Sequence, residues 1–280
     1  MKRVAIQGVA GCFHEQAARE YFSREQIEIV PCQSFTKLFE TLKVDEGKLG
    51  IMAIENTIAG ALLQNHELLR ESNQLIVGEY KLRIEHNVAV LPDVEIGDVE
   101  EVNSHPIALM QCQRWLGDHP TIKVVEGDDT ASSARAIAQN NLRNHAAICS
   151  ELAAKIYGLK ILDRGIETNK RNFTRFLILA PEQVAATMVC CETINKASIV
   201  FTLAHSSGAL SKVLTILSFY DLNLTKIQSM PIIGREWEYQ FYLDLAFDDY
   251  GRYQQAIEAV RPLTNYIKNL GEYVSFEVAE

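Results

Sequence analysis

Strand patterns and helix patterns alternate through the first 180 residues, and no other feature of the sequence limits the fold as much. Val4-Ala5-Ile6 is a short apolar run that ends in a glycine turn and leads into the helical stretch HEQAAREYF. Ser34 stands ahead of Phe35, Leu38, Phe39 and Leu42, an i, i+3, i+4, i+7 stripe with a capping residue in front of it. LGIMAIEN reads as a buried strand, GALLQNHELLRES as a helix, and Leu75 to Leu91 as extended chain. The alternation then resumes with SHPIALMQCQRWL (helix), IKVVEG (strand), TASSARAIAQNN (helix), AAICS (strand) and SELAAKIYGL (helix). Ser150 is placed to cap that last helix and Gly158 to end it. A chain of this kind builds α/β units.

The pattern changes after TRFLILA. PEQVAATMVCCETINKA fits neither period, so a linker is expected at about 181–196. The rest of the chain reads strand (ASIVFTLA), helix (Leu210, Val213, Leu214, Leu217), strand (NLTKIQS), strand, helix (Tyr253 to Ile267) and strand (EYVSFEV). The fourth of these has Tyr239, Phe241, Leu243, Leu245 and Phe247 in strict alternation. The order βαββαβ is that of a ferredoxin-like domain.

A length of 280 residues suits two domains, and 48% apolar with 22% charged residues is an ordinary globular balance. The net charge of -9, without a concentrated basic face, argues against nucleic acid as a partner. No stretch approaches the roughly 18 apolar residues of a membrane helix. MKRVAIQGVAG is interrupted by Gln7 and its glycines, so it reads as a first strand and not as a secretory signal. Six cysteines (12, 32, 112, 149, 190 and 191) form no CxxC pair, which suits reduced thiols in a cytoplasm. The adjacent Cys190 and Cys191 have no histidine at ligand spacing.

Several polar groups stand at element ends. Gly8-Val9-Ala10-Gly11 is either an anion-facing turn or only a tight strand-to-helix connection. It lacks the third glycine of a dinucleotide fingerprint and the GK[ST] of a P-loop. Glu55-Asn56-Thr57 closes a buried strand, where open α/β sheets bind ligands, although helix capping would use the same residues. Ser104-His105-Pro106 precedes a helix carrying Gln111, with Ser104 as its cap and Pro106 at its first position. Asp128-Asp129-Thr130 suits a helix N-terminus. In Asn172-Phe173-Thr174-Arg175-Phe176, strand alternation puts Thr174 and Phe176 on one face and Arg175 on the other. No serine–histidine–acid set and no metal-ligand cluster stands out.

Taken together, QGVAGCFHEQAA, AIENTIAGALLQNHELL, SHPIALMQC, DDTASSAR, AAICSELAAKIYGLKIL and NKRNFTRFLIL resemble, in order and spacing, the prephenate dehydratase family. The βαββαβ tail resembles an ACT domain. The resemblance implies an α/β catalytic domain over 1–182, with two lobes like a type II periplasmic binding protein and a second lobe over roughly 77–162. It further implies a linker over 183–196 and an ACT regulatory domain over 197–280. No chorismate mutase domain is expected ahead of the first strand. By resemblance Thr174 lies beside the leaving hydroxyl, with Glu55, Asn56 and Asp128 as further catalytic residues. Ser104, Gln111, Asn172, Arg175, Phe176 and Thr57 are the substrate-binding candidates. Gly208, Ala209, Leu210, Gln228, Ser229 and Pro231 are the candidates for holding L-phenylalanine as effector.

The implied reaction converts prephenate to phenylpyruvate, CO2 and water, without metal or organic cofactor. The implied assembly is a cytoplasmic homodimer or homotetramer. Two departures stand out: Cys12-Phe13-His14 where the family has Thr-Phe-Ser, and Gln228-Ser229-Met230-Pro231 where ACT domains have Glu-Ser-Arg-Pro. The competing readings are an arogenate dehydratase and a non-catalytic amino-acid sensor.

Overall fold

The computed structural model describes residues 1–44, 47–189, 193–235 and 237–275. Cys190 and Cys191 lie outside the described residues.

The N-terminal half forms β1 (Lys2–Gln7), α1 (Phe13–Tyr21), β2 (Ile27–Cys32), α2 (Phe35–Val44), β3 (Lys48–Asn56), β4 (Gly60–Ala61), α3 (Leu63–Glu71) and β5 (Gln74–Arg83). Next come β6 (Asn87–Val90), β7 (Glu101–Ser104), α4 (Pro106–Gln111), α5 (Gln113–Asp118), β8 (Lys123–Glu126) and α6 (Thr130–Asn140). β9 (His145–Cys149), α7 (Glu151–Ile156), β10 (Lys160–Asp163) and β11 (Phe173–Pro181) follow. Two mixed sheets result. One has the order β2-β1-β3-β11-β5 with β4 paired to β3, and the other has β10-β6-β9-β7-β8. The apolar runs explain why these strands are central. Val4, Ala5 and Ile6 of β1, Ile51 and Met52 of β3, and Ile178 and Leu179 of β11 are fully buried.

The helix starts differ in detail from the sequence reading. Ser150 does cap α7, accepting a hydrogen bond from the Ala153 N–H at 2.9 Å. Ser104 does not cap α4. His105 takes that position, its Nδ1 accepting from the Ile107 N–H at 3.2 Å, with Pro106 at the first helical position as expected. The segment expected to be a linker carries α8 (Glu182–Met188).

The C-terminal elements are β12 (Lys196–Thr202), α9 (Ala209–Phe219), β13 (Asn223–Pro231), β14 (Tyr239–Ala246), α10 (Tyr250–Val260) and β15 (Tyr266–Tyr273), the βαββαβ order read from the sequence. Their antiparallel sheet runs β13-β14-β12-β15, and Phe201, Val213, Leu217, Leu245, Ala256 and Val260 fill the layer beneath the helices. The strict alternation of β14 places Gln240, Tyr242 and Asp244 on the face opposite its apolar one. All three are also buried. Glu67 of α3 accepts hydrogen bonds from Gln240 Nε2 at 2.7 Å and from the Tyr242 hydroxyl at 3.2 Å. A polar side chain can face a covered surface when its partner is built in, which a period-2 pattern does not reveal.

Contacts divide the chain into two compact units: Met1–Thr41, Gly50–Leu62 and Tyr80–Phe176 in the first, Leu42–Leu49, Leu63–Glu79 and Leu177–Glu280 in the second. Besides residues 197–280, the second takes in Leu42–Leu49, Leu63–Glu79 and the stretch that begins at Leu177. Lys196 and Glu79 form a buried ion pair there, at 2.8 and 3.0 Å. Lys268 Nζ donates to the Arg70 and Ser72 carbonyl oxygens, each at 2.7 Å.

Candidate active site

A cavity of about 510 Å³ opens in the first unit, at the carboxyl ends of strands from both of its sheets. Gln7 and Gly8 line it from the end of β1, Asn56 from β3, His105 from just past β7, and Asp128 to Thr130 from just past β8. Its lining is mainly apolar, and among the described residues no lysine or arginine lines it. It therefore suits a small molecule positioned by few polar groups.

The polar wall is built outward from Asn56. Its Oδ1 accepts from the backbone N–H groups of Ile58 (2.9 Å) and Ala59 (2.8 Å). A backbone N–H only donates, so the amide orientation is fixed and the NH2 faces the other way. There Nδ2 lies 2.8 Å from Asn172 Oδ1, 2.9 Å from Thr174 Oγ1 and 3.2 Å from the Phe173 carbonyl. Thr174 Oγ1 thus accepts from an amide, and its own hydrogen is left to point elsewhere. The residue is buried and lines the cavity, so that hydrogen is available to a molecule bound there. Asn172 Nδ2 donates to Gln111 Oε1 at 2.8 Å, and His86 Nε2 lies 2.9 Å from the same oxygen.

Strand alternation sorts the remaining candidates. Asn56 and Thr174 face the cavity from β3 and β11, so their neighbours Glu55 and Arg175 face the opposite side. Arg175 is buried and its Nη1 pairs with Glu55 Oε1 at 3.2 Å. Neither lines the cavity, although the family resemblance assigned Glu55 to catalysis and Arg175 to substrate binding. Ser104 is fully buried and donates to the Ile148 carbonyl at 2.6 Å, tying β7 into its sheet, and it does not reach the cavity. Thr57 is exposed. It locks the start of β11 by donating to the Arg171 carbonyl and accepting from the Phe173 N–H, at 3.0 and 2.9 Å. Asn172 is buried behind the wall and acts through Gln111 and Asn56. Thr174, Asn56, Gln111, Phe176 and the exposed Asp128 do line the cavity.

Phe13 and His14, from the Cys12-Phe13-His14 departure, also line it, and His86 is brought in by the structure alone. His14 accepts the Ala53 N–H at Nε2, 3.2 Å away, and its ring meets Phe176 edge-on at 5.0 Å. Burial drives its pKa down to about 3, so the ring is neutral. Burial also lowers the pKa of His86, against the raising effects of Gln111 and Glu167. The Cys12 thiol is pushed up to about 12 by burial, which removes it as a thiolate. Gly11 is glycine for a packing reason. A Cβ there would sit 2.5 Å from Ala153 Cα, and the residue has a φ of +86°.

A two-sheet α/β scaffold with an apolar cavity and one oriented hydroxyl defines a small-molecule enzyme site. The prephenate dehydratase family pattern matches residues 4–184. An Arabidopsis thaliana protein named arogenate dehydratase/prephenate dehydratase 2, chloroplastic, is 36% identical, covering 97% of this chain and 72% of its own. A prephenate dehydratase from Arthrobacter aurescens, solved in complex with L-Phe, superposes with a TM-score of 0.85 at 25% identity, covering 97% of this chain and 90% of its own. A structure described as a quorum-quenching acylase, GqqA, superposes at 0.87 with 26% identity, covering 98% of both chains. The chain belongs to the prephenate dehydratase family.

Proposed function

We propose that this protein converts prephenate to phenylpyruvate, CO2 and water as a step of L-phenylalanine synthesis. The observation that carries the reading is Thr174, whose oxygen is held by Asn56 and whose hydrogen is left for the cavity. In this reaction the bond to the ring carboxylate breaks, and its electron pair moves through the ring and expels the para hydroxyl. Hydroxide leaves poorly, so a donor must meet it, and the expelled group ends as water. The threonine hydroxyl is too weak an acid to be the final proton source and serves as donor or relay. A lining without lysine or arginine among the described residues fits this chemistry. A tight ion pair on the ring carboxylate would stabilise the ground state that has to be left. With no lysine or arginine lining the cavity among the described residues, backbone N–H groups at a helix start are the groups left to hold the side-chain carboxylate of the substrate.

Acyl transfer, the other activity named among the structural relatives, needs an activated nucleophile. Here Thr174 Oγ1 is held by an amide and not by a base, and the Cys12 thiol is kept protonated.

The family relationship supports two lobes like those of a type II periplasmic binding protein within 1–182, and an ACT domain over 197–280. L-phenylalanine would bind that domain at the turn Gly208–Leu210, in a cytoplasmic homo-oligomer. Gly208 adopts a left-handed conformation, φ 76°, directly ahead of α9, with its carbonyl accepting from the Lys212 N–H at 3.1 Å and the Ala209 N–H donating to the Ser206 carbonyl at 3.2 Å. Gln228 Nε2 is turned onto the Ser229 carbonyl at 2.8 Å.

The test is turnover of the purified protein on prephenate and on arogenate, with Thr174→Val beside the wild type. Phenylpyruvate is the expected product, and Thr174→Val should lower kcat by about 10²–10⁴-fold. Preference for arogenate would transfer the reading to arogenate dehydratase. No turnover of either substrate would leave the sensor reading.

A further inference from the structure

We infer that His86 is a positioning residue for this reaction: its Nε2–H holds Gln111, and through Gln111 and Asn172 it holds the Asn56–Thr174 pair in its reactive orientation. The inference rests on the reading of Thr174 as the donor to the leaving hydroxyl.

Hydrogen-bond polarity is fixed at one end of the chain of side chains and passes along it. The Ile58 and Ala59 N–H groups place the oxygen of Asn56, so its Nδ2 must donate, and Asn172 Oδ1 must accept at 2.8 Å. Asn172 Nδ2 then has to donate, which makes the atom it meets at 2.8 Å the oxygen of Gln111. That oxygen lies 2.9 Å from His86 Nε2 and can only accept, so the proton of the neutral imidazole is on Nε2. Gln111 Nε2 turns back to Asn56 Oδ1 at 3.4 Å, closing a ring of three carboxamides. His86 supplies the second donor to the Gln111 oxygen and so limits the rotation of that amide.

The histidine is itself anchored. Its backbone N–H donates to the buried Glu167 Oε2 at 3.0 Å, and Phe13 meets its ring edge-on with centroids 5.5 Å apart. Nδ1 is buried with no hydrogen-bond partner among the described residues, so only Nε2 engages the network. The role is therefore one of geometry, and any side chain that presents an N–H at the place of Nε2 should fill it.

Four variants of the full chain test this on prephenate. His86→Leu and His86→Asn, which cannot present that donor, should lower kcat by about 10–100-fold, the scale of a small misplacement of reacting groups. KM should move far less than kcat, because the loss falls on the orientation of the Asn56–Thr174 pair even though His86 also lines the cavity. His86→Gln should recover most of the lost kcat. His86→Leu combined with Gln111→Leu should be no worse than Gln111→Leu alone, since both act through one chain. Nitrogen-15 NMR of the wild type adds a readout that survives misfolding of any variant, and Nε2 should carry the proton. The inference is overturned by an Nδ1–H tautomer, by a His86→Leu enzyme with wild-type kcat, by failure of Gln to rescue, or by additive losses in the double variant. A wild type that does not turn over prephenate overturns the functional reading and this inference together. An active wild type with any of those four results overturns this inference alone.

Discussion

At the scale of single residues, the cavity wall is built on a carboxamide that is pinned from one side and donates from the other. The donors of Ile58 and Ala59 leave Asn56 no choice of orientation, and the hydroxyl of Thr174 takes its direction from that. His14 shows the same logic in electrostatics. Its pKa falls from 6.5 to about 3 because burial strips solvent from the charged form. The unfolded chain takes up a proton below about pH 6.5 that the folded chain refuses. Stability is therefore undiminished above that pH and falls as pH drops from about 6.5 towards 3, by up to about 1.4 kcal/mol per pH unit from this group. Chemical denaturation of wild type and His14→Gln at pH 7, 6 and 5 should show the wild-type slope, with a flatter one in the variant. Parallel curves would mean that other groups set the acid limit.

At the scale of elements, alternation along β3 and β11 separates two pairs that lie next to each other in sequence. Asn56 and Thr174 share the cavity face, and Glu55 and Arg175 share the other. The sheet of the C-terminal elements likewise has two covered faces. Lys196 of β12 and Glu79 of β5 are both buried and bonded through two oxygens, with Ser275 also donating to Glu79. Removing one partner of a buried pair strands the other charge. Lys196→Met is expected to lower unfolding stability by about 3–5 kcal/mol. Lys196→Met with Glu79→Leu should regain most of that loss. Urea denaturation of the three proteins decides it, and a single variant as stable as wild type would show that water reaches Glu79.

At the scale of the whole molecule, the proposed effector has to act through two arrangements of the assembly that bind it unequally, with a coupling of about 1–3 kcal/mol. Calorimetric titration with L-phenylalanine should show binding to wild type and its loss in Gly208→Val. The left-handed φ of 76° is strained for a β-branched residue, so the turn must change shape. Binding unchanged by Gly208→Val would place the ligand elsewhere, and no heat at millimolar phenylalanine would leave the C-terminal elements an assembly module.

The element order and the βαββαβ tail were legible in the sequence, because periodicity is local and survives in one dimension, and the family resemblance named Thr174, Asn56, Gln111, Phe176 and Asp128, which line the cavity. Local signals had little to say about partners far apart in the chain. They left Ser104 looking like a cap when it bonds Ile148, and left Glu55 open between ligand binding and helix capping when it pairs with Arg175 on the neighbouring strand. They gave no reason to single out His86, one of three consecutive polar residues in extended chain. Its meaning depends on Gln111 and Asn172, which lie 25 and 86 residues further on by their numbering. Hydrogen-bond polarity belongs to pairs of atoms in space, so only the tertiary structure could decide which side chains complete the site and which way each one points.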